Sequence, residues 1–156
     1  MLSLSDPKWR ELSANFTDGR HVADLLARAE SGEPADHWYD ELFQELCHQY
    51  TVSKAAYYAA PHLAQISADH PDQRKDLLVL LGSCHASSML TDLESLPTDA
   101  VKEWHSSAID ALPLTTALLA KPQQSKDDLR YLLSSTAALH GYPDLALAIE
   151  RLDEYL

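Results

Sequence analysis

Cys47 and His48 stand side by side in "ELCHQYTVSKAAYYAAPHLAQI", with Glu45 just before them and His62 fourteen residues after His48. Cysteine, histidine and carboxylate are zinc ligands, and a zinc site needs three or four of them converging, usually with one short spacing. Neighbours on a helix point about 100° apart, which sets Cys47 and His48 on different faces. His62 lies beyond a turn and could approach His48, with Glu41 or Glu45 as a further ligand. The same set defines the enzymatic alternative, a small metal- or His-dependent hydrolase built on His48, His62 and Glu45. Glu45-x-x-His48 also matches the motif of di-iron bundles, but that chemistry needs a second copy and two more inward glutamates. The chain has no second copy. A solvated polar face is the better reading, so neither a metal nor a cofactor is expected.

Thiol chemistry fares no better. A nucleophilic cysteine needs its pKa lowered by a nearby cation or a helix N-terminus. Cys47 falls at the C-terminal end of its helix, where the dipole disfavours a thiolate, and Cys84 follows an apolar run. Both read as small core residues, and His85 as a buried, hydrogen-bonded core histidine directed towards Leu78, Leu81 and Met89. Gly-rich phosphate loops and Gly-x-Ser-x-Gly elbows are absent. No catalytic residues are assigned.

The elements that must position these residues are helices. Ala and Leu dominate and only four glycines occur among 156 residues, which favours helix over a turn-rich β fold. Hydrophobic residues make up 46% and charged residues 23%. That is the balance of one compact domain rather than a disordered chain. Trp38, Tyr39, Leu42, Phe43, Leu46 and Cys47 share half a helical wheel, while His37, Asp40, Glu41, Gln44, Glu45 and His48 fill the other half. Thr51 is the expected N-cap of a following helix with an alanine-rich inner face, bent at Pro61. Tyr58 and His62 fall on its outer side. A third helix spans about 72–90, and its "LLVLL" segment, apolar all round, belongs in the middle of the fold. Thr98 caps a fourth, which carries Pro113. Ser125 with Asp128 resembles a capping box for a fifth, striped by Leu129, Leu132, Leu133 and Thr136 and ended by Gly141. Pro143 begins the last helix, striped by Leu145, Ala148, Ile149, Leu152 and Leu156. Two shorter helices precede these, near 7–14 and 18–31, the second capped by Asp18.

The turns recur. "HQYT" begins at His48, a middle turn falls near Glu94–Pro97, and "HGYP" begins at His140. The period of about 46 residues fits two-helix HEAT or armadillo units. The expected architecture is therefore all-α, a solenoid of three helical hairpins over 34–69, 72–121 and 125–156 behind an N-terminal cap over 1–33. "WYDELFQELCHQYTVSKAAYYAAPHLAQI" and "LRYLLSSTAALHGYPDLALAIERL" resemble the first and last units of small bacterial HEAT-like repeat proteins. The most specific part is the block from Leu46 to Leu63, and the similarity extends over about 34–156. The resemblance implies an α-solenoid that binds another macromolecule and brings no family-wide catalytic residues. Some proteins of this kind serve as immunity proteins to secreted toxins, which makes that role a candidate.

Charge narrows the partner. Twenty-four acidic residues against twelve basic ones give a net charge of −12. Such a surface repels nucleic acid, whose affinity rests on Lys and Arg, and steers a basic partner inward. No apolar run approaches the roughly 20 residues of a membrane span. Asp6 and Lys8 interrupt any signal-peptide core, so a cytoplasmic location is expected. The candidate partner-binding surface comprises Asp36, Asp40, Glu41, Glu45, His48, Tyr58 and His62. The expected function is non-enzymatic binding of a basic protein; a self-associating scaffold is the further alternative, and the oligomeric state is left open.

Overall fold

The computed structural model describes residues 1–34, 36–88, 96–122 and 124–152. The middle turn at Glu94–Pro97 falls partly outside those residues, and Met89, Leu90 and Leu156 fall wholly outside. Among the described residues the fold is all-α apart from one short hairpin and an isolated bridge between Ser13 and Asp18. A 3-10 helix (Pro7–Glu11) precedes α1 (Gly19–Glu30) and α2 (Trp38–Leu46). The strands β1 (Cys47–His48) and β2 (Thr51–Val52) lead into α3 (Lys54–Asp69) and α4 (Arg74–Ser87), then α5 (Thr98–Leu119), α6 (Lys126–Leu139) and α7 (Pro143–Glu150).

Local chemistry explains several boundaries. Asp18 Oδ1 accepts the His21 N–H at 3.2 Å to start α1. Ser125 Oγ accepts the Asp128 N–H at 3.0 Å to start α6, the same use of a short polar side chain on an orphan donor. Gly141 ends α6 in the left-handed region at φ 85°, a conformation that glycine adopts without strain. Pro143 opens α7, where its missing N–H is not needed. Thr51 does not cap α3. The chain first makes an antiparallel pair, His48 opposite Thr51, and Ser53 takes the cap position. Gln49 and Tyr50 both have positive φ, 46° and 64°, as a type I′ turn requires. Pro61 and Pro113 lie inside continuous helices.

The helices pack in two layers. α1, α3 and α5 lie in succession in one, and α2, α4, α6 and α7 in the other, with α3 against α4 and α5 against α6 joining them. The alanines of α3 allow the close approach: Ala55, Ala56, Ala59 and Ala60 are all buried. Between the layers lie Tyr57, Trp104 and the leucines of α4, with Leu77, Leu78, Leu80 and Leu81 fully enclosed. A second seam, Ala86, Ala137, Ala138 and Ala146, joins α4, α6 and α7. At Gly82 two backbones nearly meet, since a Cβ there would lie 2.3 Å from Ser135 Cβ and 2.5 Å from its Cα. Two expected stripes are only partly buried. On α6, Leu132 is enclosed while Leu129 and Leu133 are exposed. Towards the end of the chain, Leu145 and Leu152 are exposed and Ala146 is buried in their place. Both helices are apolar on more than one side, and the close alanine seam decides which side turns inward.

Candidate functional site

α2 carries Asp40 and Glu41 in its first turn, both exposed, with exposed Asp36 just ahead of the helix. Glu41 Oε1 pairs with His21 Nε2 at 2.9 Å. One turn further on, the pattern breaks. Glu45 is only 4% exposed, and its Oε2 accepts the Phe16 and Thr17 N–H groups at 3.0 and 3.1 Å. It anchors the segment before α1 rather than extending an acidic stripe. His48 is half-buried, held by Gln44 Oε1 at 2.5 Å and edge-on to Phe16.

Tyr58 and His62 are likewise buried, not exposed. The 3-10 helix and the residues before it cover the outer side of α3. Tyr58 meets Trp9 edge-on, with Lys8 Nζ 4.8 Å from the centre of its ring. His62 Nε2 lies 2.8 Å from Leu2 O and its ring lies near Trp9. Burial pushes the His62 pKa down, opposed by the Leu2 carbonyl, because an enclosed imidazole loses the hydration of its charged form. Of the seven expected surface residues, Glu45, Tyr58 and His62 are thus structural. Glu45 holds the Phe16 and Thr17 N–H groups, His48 is held by Gln44 and His62 by the Leu2 carbonyl, so the three are not brought together. Among the described residues, no group of three or more His, Cys, Asp or Glu is placed to hold a metal ion.

Asp40 leads to a different site. Along the second layer, α2, α4, α6 and α7 enclose a cavity of about 400 Å³ lined by Tyr39, Asp40, Phe43, Lys75, Asp76, Ser83, Asp128, Tyr131 and Glu150, among others. A smaller cavity of about 250 Å³ shares Phe43, Ser83 and Glu150 and extends to Cys47, Tyr50 and Ser87. Together they form one groove with acidic and aromatic walls. Lys75 Nζ holds Asp128 at 2.9 Å, which draws the Asp128 carboxyl below its usual range, since a neighbouring cation favours the charged form. Asp76 goes the other way. Burial raises its pKa first, Lys75 opposes, and Asp128 and Asp40 add repulsion. Glu150 is also raised by burial, against the attraction of Arg130 and Arg151. Tyr39 is pushed well up by burial and then by the Asp76 charge.

At the inner end of the groove, Cys47 Sγ lies 3.7 Å from Ser83 O and 3.5 Å from Ser87 Oγ. Both cysteines are buried. A hydrogen bond from Cys84 draws the Cys47 thiol down despite its burial, with Ser87 assisting. Cys84, enclosed in the core, is pushed well up by the same contact and by burial. His85 stacks on Trp104, ring centroids 3.9 Å apart, but its buried Nε2 has no hydrogen-bond partner among the described residues.

Asp76, Ser83, Tyr131 and Glu150 carry no motif, and Asp128 stands out only as a capping partner of Ser125. They come from three helices far apart in the chain, and only packing brings them together. Comparison with protein families, with curated proteins and with solved structures finds no match.

Proposed function

We propose that this chain is a non-enzymatic helical-repeat module that binds a basic partner protein through the second layer. The observation that carries the reading is the groove between α2, α4, α6 and α7. There Asp76 and Glu150 are held partly out of water, with no ion pair of their own among the described residues. Carboxylates in that condition gain most from an incoming cation. The molecule's net charge of −12 supplies the long-range attraction.

The layered packing supports a HEAT-like solenoid in a frame set by contact. Successive units would be α1/α2, α3/α4 and α5/α6, with α7 closing the end, because α3 and α5 adjoin and α4 and α6 adjoin. Basic proteins whose own ligand is a phosphate fit such an acidic face, and occlusion of a basic toxin is the role of this kind that the resemblance implies. Asp36, Asp40 and Glu41 would form the outer rim of the contact and steer its approach.

The test is capture of basic proteins from native lysate by the wild type and by a triple variant, Asp36→Lys, Asp40→Lys and Glu41→Lys. A partner retained by the wild type, lost at high salt and lost by the triple variant supports the reading. Retention that survives both changes would remove the acidic face from the function.

A further inference from the structure

Four polar side chains around the larger cavity have no hydrogen-bond or ion-pair partner among the described residues. They are the carboxylates of Asp76 and Glu150, the Tyr39 hydroxyl and Ser83 Oγ. Ser83 is the most telling, for it is only 9% exposed and lines both cavities. Buried hydroxyls in helices often bond back to a carbonyl one turn earlier, as Thr115 does to Ala111 and Thr136 to Leu132. Ser83 does not. These four groups line the cavity, so a ligand with donors to give meets acceptors there that no described protein group occupies.

The groove's own cations attract Asp76 and Glu150 from a distance but lie against other groups. Lys75 binds Asp128, and Arg130 binds Asp127 at 3.2 Å and lies over the Tyr131 ring. Arg151 lies over Tyr50. The remaining wall is aromatic, with Tyr39, Phe43 and Tyr131. We propose that the groove seats the guanidinium of an arginine side chain from the partner, its N–H groups shared among Asp76, Glu150 and Ser83 Oγ and its plane against a tyrosine ring. An ammonium fits less well. It has three donors and is strongly hydrated, whereas guanidinium has five donors in a planar fork and stacks on aromatic faces. The volume, about 400 Å³, lies at the small end for ligand pockets and suits one side chain.

This inference rests on the basic-partner reading, and the experiment separates the two. Three capped tripeptides, glycine–X–glycine with X as arginine, lysine or citrulline, are titrated to millimolar concentration into ¹⁵N-labelled protein. Citrulline keeps the shape of arginine and removes its charge. The arginine peptide should shift the amides of residues 39–44, 75–83, 127–131 and 150. It should bind about tenfold more tightly than the citrulline peptide and several-fold more tightly than the lysine peptide. Asp76→Asn and Glu150→Gln should each weaken it about fivefold or more, and Ser83→Ala less. Equal binding of arginine and citrulline, equal binding of arginine and lysine, or no shift at millimolar peptide each overturns the proposal. The comparison among peptides uses the wild type alone, so it stands even if a variant fails to fold. A partner lost by the Asp36/Asp40/Glu41 variant but retained by Asp76→Asn would leave the basic-partner reading in place and remove the arginine seat.

Discussion

Cys47 and Cys84 show how far neighbours decide the chemistry of a side chain. The two thiols share one environment, yet Cys47 lines a cavity and is drawn down by its hydrogen bonds with Cys84 and Ser87, while Cys84 is enclosed and pushed up. Iodoacetamide should therefore modify Cys47 first in the native protein, with Cys84 protected until unfolding, as peptide mapping would show. Faster modification of Cys84 would contradict this. His85 gives a second residue-scale outcome. Burial, then the nearby His105 charge, pushes its pKa down to about 3. Above the ordinary histidine value of about 6.5 both folded and unfolded forms are neutral, and no stability depends on it. As pH falls from there towards the folded value, the unfolded chain binds a proton that the folded chain refuses, and stability is lost. His62 has the same sign. Asp76 and Glu150 have the opposite sign, because their folded forms take up protons more readily than the unfolded chain. Urea titrations at about pH 7.5 and 5.5 should show the wild type losing about 1 kcal/mol more than His85→Gln. Equal losses would mean that His85 titrates normally.

At the scale of helices, Gly82 is the critical contact. It lies between the "LLVLL" segment and Cys84, where a helix interior normally prefers alanine. The Ser135 backbone occupies the space a methyl would need. Gly82→Ala should force α4 and α6 apart, destabilising the fold by about 1–3 kcal/mol and lowering Tm by several degrees; an unchanged or raised Tm would show that the helices can part freely. What the sequence could and could not reveal follows the same division between local and distant causes. Asp18, Ser125, Gly141 and Pro143 act within a few residues of their own helix ends, so their positions announced those ends. Glu45, Tyr58 and His62 follow the periodicity of a polar face, but residues 2–17 fold over them, and no helical wheel records a covering segment that far away. Thr51 misled for a related reason, since the reversal before α3 is a β-hairpin with Ser53 as the cap. The groove was legible only at Asp40. Asp76 and Glu150 gain their meaning from packing between helices that lie far apart in the chain.

For the whole molecule, placing partly buried carboxylates without ion pairs among the described residues in a groove costs stability that binding would return. Asp76→Asn should consequently raise Tm at neutral pH by about a degree or two, a shift that calorimetry can resolve; a lower Tm would mean that the Asp76 charge stabilises the fold. The close meeting of Gly82 with Ser135 has a further consequence, in time rather than in energy. Asp76 belongs to α4 and Tyr131 to α6, and helices locked backbone to backbone present the two walls of the groove already apart at their working distance. A partner need not wait for an opening, so its arrival is governed by diffusion through the field of a strongly negative molecule. Stopped-flow association rates should rise in proportion to partner concentration without levelling off. They should fall steeply with added salt, while dissociation changes little. A rate that saturates would reveal a gate, and with it a freedom between α4 and α6 that the contact at Gly82 denies.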